Sequence, residues 1–195
     1  MVWLEVETKV KLDSNEVPKL RKRIKEIAKL KKEGTKTDDY FAVQQETYPK
    51  KAFRIRATKD RFEVTFKKHL KKYWTKEVVV KQEFEFALEG KEQVEDFLEL
   101  FQDLGIKEWV RKIKRNETYQ HNKHKKISIE INKVKHLGYF MEIEYLCQKN
   151  EIKRAIRIIT NTLKELEIDF KKVDNTGYTR LLWDRGFKGT RDFLE

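Results

Sequence analysis

The chain has 195 residues and a formal net charge of +12, with 40% charged and 38% hydrophobic residues. This length suits a single folded domain, and the 12% aromatic content argues against intrinsic disorder. The excess of Lys and Arg favours polyanionic partners, which include nucleic acids, phospholipid surfaces and phosphorylated small molecules. No run reaches the roughly 18 apolar residues of a membrane-spanning helix, so we expect no membrane partner.

Period-two alternation of polar and apolar residues predicts a first strand over residues 2–12. A helical apolar stripe then predicts a helix over 16–32, which Gly34 would end. Turn residues separate the runs that follow, among them the pair Lys59-Asp60. These runs predict four short strands at 35–42, 51–58, 61–68 and 76–87.

The second half of the chain is expected to contain two more helices. Apolar residues at helical spacing predict one over 92–104 and another over 150–167. The tail from Asp169 is too apolar for a loose end, so we expect it to pack on the rest of a single domain spanning 1–195. Three further strands are predicted at 106–119, 126–134 and 139–148.

Cysteine and histidine are scarce. Cys147 is the only cysteine, so an intrachain disulfide is excluded, and the opening segment lacks the pattern of a secretory signal. We therefore expect a cytoplasmic protein. A zinc site needs more ligands than His121 and His124 alone provide, so we expect these two residues at the surface.

Ionisable residues occupy one face of most predicted strands. In the first strand, Glu5, Glu7 and Lys9 share a face because successive side chains point to opposite sides. For a single strand, the water-facing side of an open antiparallel sheet is a sufficient explanation. The same alternation recurs in Arg54-Ile55-Arg56, Lys81-Gln82-Glu83-Phe84-Glu85, Lys112-Ile113-Lys114, Ser128-Ile129-Glu130-Ile131-Asn132 and Glu142-Ile143-Glu144.

The whole set of strands is better explained by a sheet that closes on itself. Carboxylate pairs and basic pairs lie on different strands, so closure brings both signs together inside a tunnel. We therefore predict an α+β fold, a closed or nearly closed eight-stranded antiparallel β-barrel with helices packed outside. In such an interior, Glu oxygens can hold a hard cation such as Mg²⁺ or Mn²⁺, and Arg and Lys can bind phosphate.

Short motifs follow one another along the chain in a characteristic order. The first is Glu5-Val6-Glu7-Thr8-Lys9, which has the form ExExK. It is followed by Asp38-Asp39-Tyr40-Phe41, Phe53-Arg54-Ile55-Arg56, Val64-Thr65-Phe66-Lys67, Glu83-Phe84-Glu85, the segment 131–144 and Tyr178-Thr179-Arg180-Leu181-Leu182. The chain thereby resembles the CYTH family, the triphosphate tunnel metalloenzymes, which takes in class IV adenylyl cyclases, thiamine triphosphatases and inorganic triphosphatases.

Three features depart from the pattern of this family, and one of them is His136 in place of the usual Gly of the GLG turn. Asn132 stands where many members have Asp, so one potential metal ligand loses its charge. The family's K-x-R pair before a tyrosine is blurred, because aligning Tyr119 places Lys114 at the Lys and Asn116 at the Arg. A one-residue bulge that lets Arg115 serve is the alternative.

The resemblance implies a role for each charged position. It implies metal ligands at Glu5, Glu7, Glu142 and Glu144, with Glu83, Glu85, Glu130 and Asn132 as nearby ligands or orienting groups. It implies triphosphate binding by Lys9, Arg54, Arg56, Lys67, Lys112 and Lys114, with Lys81 as a further candidate, and catalysis by Glu5, Glu7, Lys9 and Lys67. The alternative is that the carboxylates are solvent-facing charges or structural ion pairs and that the Lys and Arg residues form a generic basic face.

Three functions compete for this set of residues. The leading one is metal-dependent hydrolysis of an inorganic, nucleoside or other organic triphosphate. The first alternative is a class IV adenylyl cyclase, which converts ATP to cyclic AMP and pyrophosphate. The second is a non-catalytic binder of RNA or polyphosphate, although no nucleic-acid-binding motif favours it. The oligomeric state is left open, with a homodimer as one alternative.

Overall fold

The computed structural model describes residues 3–43, 47–58 and 61–187. Val2 and the Lys59-Asp60 turn lie outside these described residues. None of the helices seen within them combines the length and the apolar character needed to cross a membrane. The strands are β1 (Leu4–Leu12), β2 (Ala28–Val43), β3 (Phe53–Ala57), β4 (Phe62–His69), β5 (Val79–Leu88), β6 (Ile106–His121), β7 (Ile127–Val134) and β8 (Gly138–Cys147). The helices are α1 (Val17–Ile27), α2 (Gly90–Asp103), α3 (Ile152–Glu165) and α4 (Tyr178–Asp184).

The eight strands form a closed antiparallel barrel in the order β1-β5-β4-β3-β2-β6-β7-β8. The predicted fold class is thereby confirmed. Internal contacts divide the described chain into two compact units. The single domain over residues 1–195 stays a prediction. The first unit comprises Met1–Thr35, Lys68–Glu83 and Lys114–Asn175, and the second comprises Lys36–Lys67, Phe84–Ile113 and Thr176–Glu195.

The core of the first unit forms where one face of its sheet meets α1 and α3. Val6 and Val10 of β1 and Ile143 of β8 point to this face, as alternation requires, and all are fully buried. Ile24 of α1 and Ile159 of α3 belong to the same buried cluster. The side chains between these apolar strand positions must therefore point to the opposite face.

The second unit has its own apolar core beside α2. Phe41, Ile55 and Val64 come from three neighbouring strands, and Val94 and Leu98 come from the helix. The two helical residues are four positions apart, so they lie on one side of α2. The other face of these strands carries Asp38, Arg54 and Arg56, whereas Asp39 shares the apolar face with Phe41 and Ile55.

The predicted helix over 16–32 is too long. α1 ends at Ile27, and Ala28 already has the extended backbone that begins β2, with φ −146° and ψ 155°. The backbone N–H of Asn122 donates to the carbonyl of Ile27 at 2.9 Å. The helix was predicted too long because Ala28 and Leu30 continue its apolar spacing. In the structure, Leu30 is 47% exposed and does not belong to the core.

His121 is only 1% exposed, so its expected position at the surface is wrong. Its Nδ1 accepts hydrogen bonds from the backbone N–H groups of Lys123 at 3.1 Å and His124 at 3.2 Å. Its Nε2 lies 3.6 Å from a carboxylate oxygen of Glu165. Nδ1 must therefore be unprotonated in the folded chain. Burial, followed by the neighbouring ring of His124, lowers the pKa of His121.

This lowered pKa predicts that stability declines in mild acid. The unfolded chain binds the His121 proton more tightly, so the contribution of this residue is complete above about pH 6.5 and is lost as the pH falls below that value. The slope is at most about 1.4 kcal/mol per pH unit for one proton. His121→Asn keeps an acceptor near the position of Nδ1 but cannot titrate. Urea unfolding of this variant between about pH 7.5 and 5 should show a flatter pH dependence than wild type.

The exposed His69 supplies the matched control for this measurement. His69→Asn removes a titratable group of the same type at an exposed position, so it should keep the wild-type slope. Equal slopes for His121→Asn and wild type would show that His121 does not contribute to the acid sensitivity.

Candidate metal centre and phosphate-binding groups

Strand register brings carboxylates together on one face of the first unit. β1 pairs with β8 so that Glu7 lies opposite Glu144, and β7 pairs with β8 so that Glu130 lies opposite Glu142. Directly opposed residues in an antiparallel pair point to the same side of the sheet. Glu5 joins them because it precedes Glu7 by two positions. This is the face that does not pack on α1 and α3.

These carboxylates are shielded from water. Glu5 is 4% exposed, Glu130 is 6% exposed, and Glu7 and Glu142 are each 8% exposed. Glu144 is half-buried. An open sheet whose charged face meets bulk water is therefore excluded for β1, β7 and β8.

The carboxylates form two groups that share Glu144. One consists of Glu5, Glu7 and Glu144, the other of Glu130, Glu142 and Glu144, and in each group the potential ligand oxygens lie within 4.8 Å of one another. Like charges at such distances repel strongly in a buried place unless a cation lies among them. All donor atoms are oxygens, as Mg²⁺ and Mn²⁺ prefer.

Lys114 lies within the second carboxylate group. Its Nζ donates to Glu130 at 2.8 Å and to Glu142 at 3.4 Å, and the residue is 6% exposed. Burial by itself lowers the pKa of Lys114, but the carboxylates of Glu142 and Glu130 outweigh it and hold the pKa above the usual range. The lysine is thus a permanent positive charge among these acids.

Lys81 and Lys9 lie beside the first carboxylate group. The ammonium of Lys81 forms an ion pair with Glu7 and lies 3.9 Å from Glu5. Lys9 is 3% exposed, and burial lowers the pKa of Lys9 to about 8, although the charge of Glu142 acts in the opposite direction. Lys9 is still mostly protonated at neutral pH.

Two buried asparagines complete the polar cluster of the first unit. Asn116 and Asn132 lie opposite each other on β6 and β7 and are 1% and 0% exposed. Nδ2 of Asn132 donates to Glu142 at 2.7 Å, and Nδ2 of Asn116 donates to Glu130 at 3.3 Å. Both Oδ1 atoms are buried without a hydrogen-bond partner among the described residues. Since a buried acceptor needs a donor or a cation, the residue set fits a divalent ion.

The second unit holds a separate cluster of cations around Asp38, which is fully buried. Nε of Arg56 donates to one carboxylate oxygen at 2.6 Å, and Nζ of Lys112 lies 2.6 Å from the other, with Nη1 of Arg54 4.0 Å from that same oxygen. Burial alone would raise the pKa of Asp38, but Lys112 and the two arginines hold it well below its usual range. The carboxylate stays ionised.

The remaining residues assigned from the sequence lie on β4 and β5, where the hydroxyl of Thr65 donates a hydrogen bond to Glu85 at 3.4 Å. Lys67 is half-buried on β4, on the same face as Thr65, whose hydroxyl accepts a hydrogen bond from Arg54 at 2.7 Å. Glu83 is half-buried on β5, and Glu85 is exposed. Neither glutamate belongs to the two carboxylate groups found among the described residues. The roles of these three residues stay predictions.

Sequence reasoning assigned no role to Asp38 and Thr118, which the structure places in the clusters. Thr118 donates to Glu130 at 3.0 Å and accepts from Asn116 at 2.7 Å. Thr118 keeps period-two spacing with Lys114 on β6, and this spacing was the available signal. For Asp38 the signal was its place in the motif Asp38-Asp39-Tyr40-Phe41. Their partners lie on other strands, which a single strand pattern does not identify.

A sequence model of the CYTH domain matches residues 4–178. The chain belongs to the CYTH family. The resemblance of its motifs is thereby confirmed. No curated protein sequence matches the chain.

Several solved structures are similar to this CYTH chain. The PH1819 protein of Pyrococcus horikoshii has 25% identity and a TM-score of 0.72, covering 93% of this chain and 99% of that one. A putative adenylate cyclase from Vibrio parahaemolyticus has 11% identity and a TM-score of 0.67, covering 92% and 98%. A putative adenylyl cyclase from Hippeastrum, described as having a dominant triphosphatase activity, has 13% identity and a TM-score of 0.61, covering 95% and 96%. The last two share the fold.

Proposed function

We propose that this CYTH protein is a divalent-metal-dependent enzyme that hydrolyses a triphosphate compound. One observation carries the proposal, namely the burial of Glu5, Glu7, Glu130 and Glu142 together with lysines on the face opposite the one that packs against α1 and α3. Groups of buried carboxylates destabilise a fold unless cations neutralise them. Such a cluster is therefore better explained as a binding site for metal and phosphate than as a structural feature.

The metal would be held by the two carboxylate groups, which share Glu144. Oδ1 of Asn132 is a further oxygen ligand, and Glu83 and Glu85 are proposed as orienting groups. A bound Mg²⁺ or Mn²⁺ would neutralise charge on phosphate oxygens and lower the pKa of an attacking water. Lys9 and Lys114 add positive charge beside these carboxylates.

The basic residues of the second unit are proposed to bind phosphate oxygens. Arg54 and Arg56 can make bidentate contacts, whereas Lys67 and Lys112 act as point charges. Phosphoryl transfer spreads negative charge over the equatorial oxygens of the transferring group, so fixed cations stabilise the transition state. In the overall reaction, water attacks the terminal phosphorus and the bridging P–O bond breaks. Orthophosphate is released together with the corresponding diphosphate, which is pyrophosphate when the substrate is inorganic triphosphate.

Cyclisation of ATP is the alternative reaction within the same family. It needs the same complex of metal and triphosphate, but a ribose hydroxyl attacks the α-phosphorus and pyrophosphate leaves. The substrate-binding residues do not separate the two reactions, so product analysis must. Non-catalytic binding of RNA or polyphosphate is the third outcome, and a cytoplasmic location stays a prediction.

Incubation of the purified protein with inorganic triphosphate, ATP or thiamine triphosphate, with Mg²⁺ or Mn²⁺, tests the proposal. We expect orthophosphate release that stops when EDTA removes the metal. Cyclic AMP and pyrophosphate from ATP would instead establish cyclisation. RNA binding that survives combined Glu5→Ala and Glu7→Ala replacement, without turnover of any triphosphate by wild type, would establish a non-catalytic binder.

A further inference from the structure

Asp38 lies among three basic side chains, which outnumber it in charge. Three cations, Arg54, Arg56 and Lys112, surround the carboxylate of Asp38, so these four side chains together carry a net charge of +2. Arg56 donates a hydrogen bond to Oδ1, and Lys112 forms an ion pair with Oδ2, which accepts no hydrogen bond among the described residues. The buried carboxylate of Asp38 thus holds the three cations, and their positive charge is only partly neutralised.

Each cation of the cluster has a limited set of orientations. Arg54 donates through Nη2 to Thr65 at 2.7 Å, and its Nε is buried without a hydrogen-bond partner among the described residues. Lys112 donates to the hydroxyl of Tyr40 at 3.2 Å, and its Nζ lies 5.3 Å from the ring centre of Tyr178. Arg56 is held through Nε, which is only one of its five N–H donors. A buried donor that lacks an acceptor indicates that the cluster is built for an additional anion.

We propose that Asp38 is a positioning residue, which holds Arg54, Arg56 and Lys112 in the orientation that binds the phosphate oxygens of a polyphosphate. The inference rests on the proposed function, since it concerns the same phosphate-binding groups. Asp38 itself does not touch the ligand. It acts by fixing three long side chains before the ligand arrives, which removes the entropic cost of ordering them at binding.

Positioning and charge compensation make opposite predictions for Asp38→Asn. The substitution raises the charge of the cluster from +2 to +3, so Coulomb attraction alone would strengthen polyphosphate binding. If orientation dominates, binding weakens despite the added positive charge. We expect the dissociation constant for inorganic tripolyphosphate to rise at least about 10-fold, measured by calorimetry with metal chelated.

Asp39→Asn is the matched control. Asp39 is the adjacent residue, 6% exposed, and it forms an ion pair with Arg111 outside the Asp38 cluster. Its replacement changes the net charge by the same amount and also breaks a buried ion pair. It should leave tripolyphosphate affinity equal to or slightly above that of wild type. An Asp38→Asn protein that binds as tightly as the Asp39→Asn protein would overturn the positioning role.

Kinetics and a second variant separate positioning from a folding defect. Phosphate contacts made in both the ground and transition states contribute mainly to KM, so Asp38→Asn should raise KM for triphosphate more than it lowers kcat. If Asp38→Asn fails to fold, Asp38→Glu decides the question, because it keeps the charge but displaces the carboxylate by one methylene. We expect about 10-fold weaker binding for it too, and wild-type affinity would overturn the inference.

The outcome for wild type distinguishes this inference from the proposed function. Tripolyphosphate binding with the expected loss in Asp38→Asn, but without turnover, would refute hydrolysis and support positioning. Turnover with undiminished binding by Asp38→Asn would support hydrolysis and refute positioning. If wild type does not bind tripolyphosphate at all, the positioning role falls, while turnover of ATP or thiamine triphosphate with metal present still decides hydrolysis.

Discussion

Glu7→Gln is expected to lower metal-dependent triphosphate turnover about 100-fold or more. The substitution keeps the shape of the side chain but removes one of three charges in the group of Glu5, Glu7 and Glu144. A neutral amide oxygen binds a hard divalent cation more weakly than a carboxylate does, and the remaining two carboxylates cannot replace it. Initial rates at increasing Mn²⁺ or Mg²⁺ should therefore also show a higher metal concentration at half-maximal activity.

Activity loss in Glu7→Gln should not reflect unfolding. Removing one charge relieves repulsion from Glu5 and Glu144, which offsets the lost ion pair with Lys81. The thermal midpoint without metal should accordingly remain close to that of wild type. Glu26→Gln is the matched control, since Glu26 is exposed on α1, and its turnover should be unchanged. Full turnover by Glu7→Gln would remove this carboxylate group from the catalytic centre.

The side-chain faces of the strands followed from the sequence because alternation is strictly local. Glu5, Glu7 and Lys9 had to share a side of β1 once the strand was recognised. Closure of the barrel was also predictable, because both signs of charge recurred on the face opposite the apolar one. That reasoning needed several strands together, since any one of them alone fits an open sheet.

The finer details depended on contacts between residues distant in sequence. The helix that ends at Ile27 looked longer because Ala28 and Leu30 continue its apolar spacing, and the pairing of the following strand decides otherwise. Glu85 shares the alternation of Glu83 but is exposed, because burial depends on which neighbours cover a strand end. His121 is buried through hydrogen bonds to its own following turn, which no periodic pattern reports.

The fold explains the two asparagines that depart from the family pattern, Asn116 and Asn132. From the sequence alone, Asn132 was interpreted as the loss of one charged metal ligand, and the alignment of Asn116 with the family's Arg was ambiguous. The pairing of β6 with β7 places them opposite each other, and each donates to a different glutamate. They therefore act together as neutral donors that satisfy Glu142 and Glu130. The positive charge beside these acids then comes chiefly from Lys114.

Lys114→Met is accordingly expected to destabilise the metal-free protein by about 3–5 kcal/mol. Met fills a similar volume, but it leaves Glu130 and Glu142 buried without their cation. Protonation relieves this repulsion, so the deficit in unfolding free energy relative to wild type should shrink as the pH falls towards the range where carboxylates titrate. Urea unfolding in EDTA at several pH values measures both effects.

A divalent cation should compensate for the missing ammonium. A ligand that binds the native state raises the free energy of unfolding, and the effect grows with the ratio of ligand concentration to dissociation constant. Without the ammonium of Lys114 the carboxylates should bind Mn²⁺ more tightly. Mn²⁺ should therefore raise the unfolding free energy of Lys114→Met more than that of wild type. Lys126→Met is the matched control, because it breaks a Lys–Glu pair at 2.6 Å whose lysine is 45% exposed. That surface pair should contribute far less to the free energy of unfolding than the buried Lys114 pairs, with no response to Mn²⁺ beyond that of wild type. Equal stabilisation of Lys114→Met and wild type by Mn²⁺ would mean that the ion does not bind among Glu130, Glu142 and Glu144, and would leave Glu5 and Glu7 as the metal ligands.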